Sequence, residues 1–223
     1  MMRLRLEIAV LLVLVGLASH PATAQPQPAE SACQAPNATL EERIAGCSAI
    51  IESSRERGRA LAIAYCNRGC ALTEKSELDR AIADLDAAIK IDPKYACPYS
   101  NRGRALRAKG ELDRAIADYD QAIRLHPKFA VAYNNRGDAY MAKNDLDQAI
   151  ADFSQAIKLN PDNSRSYRNR GFAWYRKRNF DRAISDYTQQ IRLTPNDMMA
   201  YLNRGNAWRK SKTPKNRSPI MPR

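Results

Sequence analysis

The side chains in this sequence best suited to nucleophilic, redox or metal chemistry are five cysteines, Cys33, Cys47, Cys66, Cys70 and Cys97, and the histidine His126. An odd number of thiols leaves at least one unpaired if all bridges are internal. Cys33 and Cys47 bracket one short segment and are expected to join as a disulfide in an oxidising compartment. Cys66 and Cys70 are about one helical turn apart, and Cys97 opens the next equivalent stretch. Three thiolates suit a soft metal or a redox reaction, yet no Cys-x-x-Cys pair exists and His126 stands apart beside Pro127. Small residues on a helix face, or a Cys66 to Cys97 bridge, are the alternatives. No glycine-rich phosphate loop, zinc signature or nucleophile–base pair is present. The expectation is a protein that is not an enzyme, with no catalytic residue, bound metal or cofactor.

Aspartate and arginine are plentiful, but they recur, whereas a catalytic group is normally unique. Asp113, Arg114 and Asp118 have equivalents at regular intervals and are expected on solvated faces or in ion pairs between helices. The interval is 34 residues: it separates Pro93, Pro127, Pro161 and Pro195, and Tyr65, Tyr99, Tyr133, Tyr167 and Tyr201 keep the same register. An Asn-Arg-Gly triplet follows each tyrosine, ending at Gly69, Gly103, Gly137, Gly171 and Gly205. Within one unit, Tyr99, Gly103 and Leu106 share a helical face, and Leu112, Ala115, Ile116, Tyr119, Ala122 and Ile123 form a second apolar stripe. The spacing predicts two antiparallel helices per unit and an all-α fold. Glycine and alanine are expected to let backbones approach, with Leu85, Tyr119, Phe153 and Tyr187 filling the space between helix pairs. The turn between helices carries Lys75-Ser76, Lys109-Gly110, Lys143-Asn144 and Lys177-Arg178. Glycine and asparagine suit a left-handed cap and Arg178 does not, so the fourth turn is expected to differ.

A 34-residue unit of these residue types resembles the tetratricopeptide repeat (TPR), and the likeness runs from about Ala62 to Trp208. The resemblance implies a right-handed solenoid of four full repeats and one half-repeat, whose first helices line a concave groove that takes a protein or peptide. Carried over position by position, the groove holds Asn67, Asn101, Asn135, Asn169 and Asn203, one per repeat. This ladder is similar to that of the superhelical TPR region of O-GlcNAc transferase. Each asparagine offers a donor and an acceptor, to an extended peptide or to a neighbouring helix, and both readings stand. Arg104, Arg107, Arg165, Arg168 and Arg176 face Asp138 as the lone acid in repeats two to four. With Phe172 and Tyr175 they favour an acidic ligand with an apolar anchor. The carboxylate clamp of heat-shock adaptors is not implied, because its positions hold Cys66, Cys70, Asn101, Val131 and Asn135, and Asn101 alone matches.

The two ends differ from the repeats. Arg3 and Arg5 precede an apolar run from Ile8 to Ala18 and the small triplet Ala22, Thr23, Ala24, the pattern of a signal peptide over residues 1–24. An exported chain, periplasmic or secreted, is expected, and no later stretch is long enough to span a membrane. Residues 25–61 form an N-terminal segment in which Thr39 and Glu42 make a capping box before a covering helix. The solenoid occupies 62–209. From Arg209 to Arg223 there are six basic residues, no acidic one and three prolines, so 210–223 is expected to be a disordered basic tail. Much of the net charge of +12 sits there without interleaved aromatics, which is not a nucleic-acid pattern. Gln190 replaces a repeated alanine, marking the last repeats as irregular. The fifth copy has no second helix, leaving Tyr187, Ile191, Tyr201, Ala207 and Trp208 as an expected surface for self-association. A scaffold or adaptor is the function these features favour. A chaperone or assembly factor, and a redox or metal-handling protein using Cys66, Cys70 and Cys97, are the alternatives.

Overall fold

Each unit reverses the chain with a left-handed residue one position after the lysine. Ser76, Asn144 and Arg178 have φ of 64°, 64° and 61°, and Gly110 has 84°. The following amide reaches back to a carbonyl in the last turn, Glu111 N–H to Leu106 O at 2.9 Å and Asn179 N–H to Trp174 O at 2.9 Å. These are Schellman closures, which satisfy carbonyls that the helix end would leave bare. The fourth turn therefore does not differ. Arg178 takes the same conformation, because these backbone bonds offset the ~1–2 kcal/mol that a side chain costs there. Three of the four lysines also reach across to the preceding repeat: Lys109 pairs with Asp79 at 2.5 Å, and Lys143 and Lys177 pair with Asp113 and Asp147, while Lys75 pairs with Glu41 ahead of the first repeat.

The computed structural model describes residues 31–53 and 55–213, so the expected signal peptide and tail residues 214–223 lie outside the described residues. Within them the chain forms α1 (Leu40–Ser53), α2 (Gly58–Glu74), α3 (Leu78–Ile91), α4 (Ala96–Ala108) and α5 (Leu112–Leu125). It continues with α6 (Ala130–Ala142), α7 (Leu146–Leu159), α8 (Ser164–Arg176), α9 (Phe180–Leu193) and α10 (Met198–Lys212). The fold is all-α, a solenoid of antiparallel pairs α2/α3, α4/α5, α6/α7 and α8/α9, with α10 opening a fifth. Each second helix also packs on the first helix of the next repeat. No helix among the described residues is long and apolar enough to cross a membrane.

The Asn-Arg-Gly triplet supplies the core contacts. A Cβ added at Gly103 would lie 2.7 Å from the Tyr119 ring, one at Gly137 2.6 Å from Phe153, and one at Gly171 3.0 Å from Tyr187. The glycine thus makes room for a ring of its own repeat, sixteen residues on, rather than for a neighbouring backbone. Leu85 does the same at Gly69. The arginine beside it closes the pair electrostatically. Arg102 grips Asp118 through Nε and Nη2 at 2.8 and 2.7 Å, and Arg68–Asp84, Arg136–Asp152 and Arg170–Asp186 repeat the fork. These aspartates are buried, 4–7% exposed, so they belong to the ion-pair reading and not to a solvated face. A second arm reaches the preceding repeat, Arg102 to Asp86 and Arg136 to Asp120, each at 2.5 Å. One guanidinium therefore ties three helices.

At the N-terminal end the capping box forms as expected: Thr39 N–H donates to Glu42 Oε2 at 2.8 Å, and Glu42 N–H to Thr39 Oγ1 at 3.2 Å. Helix α1 then covers α2. At the other end α10 runs to Lys212, past the expected boundary near Trp208. Gln190 makes a bond there that the repeated alanine could not, while its buried Oε1 has no donor among the described residues. Buried at 2%, it donates to Asp197 Oδ2 at 2.8 Å while Asp197 Oδ1 caps α10 at Met199 N–H. The expected apolar stripe is smaller than the sequence implied. Tyr187 and Ala207 are buried by the packing of α10 on α9, and Ile191 is half-buried, leaving Met198, Tyr201 and Trp208 exposed.

Candidate functional site

First helices of neighbouring repeats touch one another, α2 with α4, α4 with α6 and α6 with α8, whereas no comparable contact joins the second helices. The stack therefore curves with the first helices inside, and the residues singled out for binding lie on that inner face.

Three members of the asparagine ladder already have partners within the chain. Asn67 Nδ2 donates to Cys33 O at 3.3 Å, Asn101 Nδ2 to the Cys66 and Cys97 sulfurs at 3.4 and 3.5 Å, and Asn169 Nδ2 to Asp138 Oδ1 at 2.7 Å. Apart from the Asn101–Cys97 bond, which stays within α4, each bond reaches the preceding repeat or the N-terminal segment, which is the stacking alternative. Asn135 differs: it is 3% exposed and its Nδ2 is buried with no acceptor. Asn203 is half-buried. The N-terminal segment also fills the first end of the inner face, where Cys33, Gln34, Ala35 and Pro36 line one pocket with Ile63, Asn67 and Cys70. The sequence pattern could not place that segment, since it carries no repeat register.

The arginines divide. Arg165 pairs with Asp138 at 2.6 Å, and Arg104 lies near Glu74 at 3.9 Å and Cys70 at 3.5 Å, so a second carboxylate joins this face. Arg176 donates to Asn144 Oδ1 at 2.7 Å, and Arg168 is exposed with a 3.5 Å contact to Asn169. Arg107 keeps a buried Nε with no well-aligned acceptor among the described residues, and its guanidinium acts on the buried Tyr119 hydroxyl. Burial pushes the Asp138 carboxyl up from its ordinary range, and Arg165, Arg107 and Arg168 pull it back only in part. Of the two aromatics, Phe172 is 49% exposed. Tyr175 is half-buried with Ala183 and Tyr187 and edge-on to Phe180 at 5.5 Å, so it belongs to the packing of repeat four. Val131 on α6 and Met199 and Leu202 on α10 are each more than half exposed.

Cys33 and Cys47 are joined, with Cα atoms 4.6 Å apart and both residues buried against Ala64. Cys66, Cys70 and Cys97 are free thiols. Cys66 and Cys97 meet sulfur to sulfur at 3.6 Å. Among the described residues no group of three His, Cys, Asp or Glu side chains is arranged to hold a metal ion. His126 ends α5 and stacks on Phe129 at 5.5 Å.

The tetratricopeptide-repeat family model matches residues 62–95, and a second TPR-repeat model matches 103–143 and 137–178. The chain is a tetratricopeptide-repeat protein. No curated protein matches its sequence significantly. Solved TPR structures share its fold. MamA protein superposes with a TM-score of 0.60 at 25% identity, covering 67% of this chain and 82% of that one. The thermophilic TPR protein TTC0263 of Thermus thermophilus gives 0.64 at 18% identity over 76% and 90%. The first TPR of Spaghetti (RPAP3), bound to the HSP90 peptide SRMEEVD, gives 0.52 at 24% over 53% and 94%.

Proposed function

We propose that this TPR protein is an exported adaptor or scaffold that holds an acidic segment of another protein on the inner face of its stack. The observation that carries this reading is a buried donor on the inner face with no acceptor among the described residues, Asn135 Nδ2 on α6. A buried donor left unpaired costs about 1–3 kcal/mol, which a ligand oxygen recovers. The charges favour the same ligand: five arginines on this face meet two carboxylates, Asp138 and Glu74. The exposed Phe172 ring offers an apolar seat. A peptide carbonyl or side-chain carboxylate supplies the acceptor, and one large apolar side chain supplies the anchor.

A TPR domain of this fold holds the peptide SRMEEVD, which carries acidic residues. In the present chain cysteine, valine and asparagine stand at the clamp positions, so recognition of a terminal carboxylate is not part of the reading. A peptide array graded by net charge, probed with the mature protein, tests it. Acidic peptides containing an aromatic or leucine are expected to bind, and Arg168→Glu and Phe172→Ala each to weaken them about tenfold. No preference for acidic sequences, or binding untouched by both changes, overturns it.

A further inference from the structure

Four times in this chain the arginine of Asn-Arg-Gly grips an aspartate sixteen residues on, and the glycine takes the next side chain against its backbone. The partners are Asp84-Leu85, Asp118-Tyr119, Asp152-Phe153 and Asp186-Tyr187. The fifth copy has the triplet and lacks these partners. Among the described residues nothing lies within 4 Å of a Cβ built at Gly205, and Arg204 has a contact with its own Tyr201 ring at 5.6 Å in place of the fork. Leu72 and Leu106 are 1% and 2% exposed, whereas Trp208 in the same register is 58% exposed. Met198, Tyr201, Gly205 and Trp208 recur at helical spacing, so they share the face that a second helix covers elsewhere in the stack.

We propose that this face of α10 is a socket for a helix supplied by another protein, bearing the pattern Ala-x-x-Asp-Φ-x-x-Ala with Φ tyrosine, phenylalanine or leucine. The pattern is that of the helices seated on the equivalent faces: Ala81, Ala115 and Ala149 precede the aspartates, and Ala88, Ala122 and Ala156 follow, all fully buried. The residues at the corresponding register after α10 do not match this pattern. The register places Arg217 at the first alanine, Pro219 inside the helix, and Ile220 and Met221 where aspartate and ring belong. A second copy does not supply it either. Its four second helices already cover their own first helices, and its own α10 would set Arg204, Arg209 and Lys212 against the same cations. An acidic helix from a different protein matches this charge.

The test uses the full mature chain and a fluorescent, lactam-stapled helix with the sequence of Leu146–Leu159, titrated by anisotropy while Trp208 emission is followed. Saturable binding with a blue shift of the tryptophan is expected. Gly205→Ala leaves the free protein folded, since its methyl meets open space, and weakens binding about tenfold because that methyl occupies the place of the ring. Arg204→Gln weakens the wild-type peptide and leaves a peptide with Asp152→Asn unchanged, whereas Phe172→Ala on the inner face has no effect. Absence of binding, binding indifferent to Gly205→Ala, or binding lost in Phe172→Ala overturns the proposal. So does a dimer of the protein alone that Gly205→Ala dissociates, because the face then belongs to a second copy.

Discussion

Cys97 is the side chain whose chemistry the fold changes most. The Cys66 thiol hydrogen-bonds to it and, against the cost of burial, brings it down to about 7, with Tyr95, Asn101 and Arg104 acting in the same direction. The same bond raises Cys66, which burial raises further, and burial raises Cys70. Iodoacetamide alkylation read by peptide mass is therefore expected to climb for Cys97 through pH 7, while Cys66 stays unreacted. Cys66→Ala should move the Cys97 midpoint upward. Equal rates for all three thiols, or a Cys97 midpoint in the ordinary thiol range, would sink this assignment. Because Cys97 is lowered in the folded state, its ionisation adds stability as pH rises toward the ordinary thiol range and the gain is lost as pH falls below its folded midpoint, while the raised Cys66 acts in the opposite sense above the ordinary thiol range. Cys66 and Cys97 share one register face in the sequence, but their contact needed the approach of α2 to α4.

At the scale of the helix, the glycine of each triplet is set by two opposed effects. Alanine raises helix propensity by about 1 kcal/mol over glycine, and overpacking a filled core costs about 1–3 kcal/mol. At Gly137 the neighbour is the Phe153 ring, fully buried and without room to move. Gly137→Ala is thus expected to lower stability by about 1–2 kcal/mol in thermal or urea unfolding. Gly205→Ala, facing open space, should be neutral or stabilising by up to about 1 kcal/mol. Equal effects at the two positions would contradict the ring-in-glycine packing. The repeated positions were legible because periodicity marks them; which atom each glycine makes room for was not. A pattern of small and large residues fits either backbone approach or ring insertion until two helices are in register.

The whole molecule is a stack in which each helix pair leans on its neighbours, so its ends govern its behaviour. At the first end α1, its capping box and the Cys33–Cys47 bridge cover α2, and the segment before α1 takes up part of the inner face. At the last end, among the described residues, α10 is covered by α9 alone. The proposed export makes a further expectation for the chain isolated from its native host. Its intact mass should correspond to a chain beginning at Gln25, and in denaturant three thiols should alkylate before reduction and five after. A chain that begins at Met1, or one with five free thiols, would set aside the extracytoplasmic reading.

The sequence by itself determined the repeat, its 34-residue period, the helix pairs, the capping box and the cysteine pair that joins. These follow from local rules: residue type sets turn and cap, and spacing sets the buried stripe. Only the tertiary structure decided how the polar groups on those stripes are used. Asn67, Asn101 and Asn169 spend their amides on the preceding repeat or the N-terminal segment, Tyr175 turns into the core, and Arg178 accepts a left-handed turn. Asn135 and Arg204 carry the same motif letters as their equivalents and are left without the same partners. A repeated residue has one identity but as many environments as there are neighbours, and the ends of a stack have fewer neighbours than its middle.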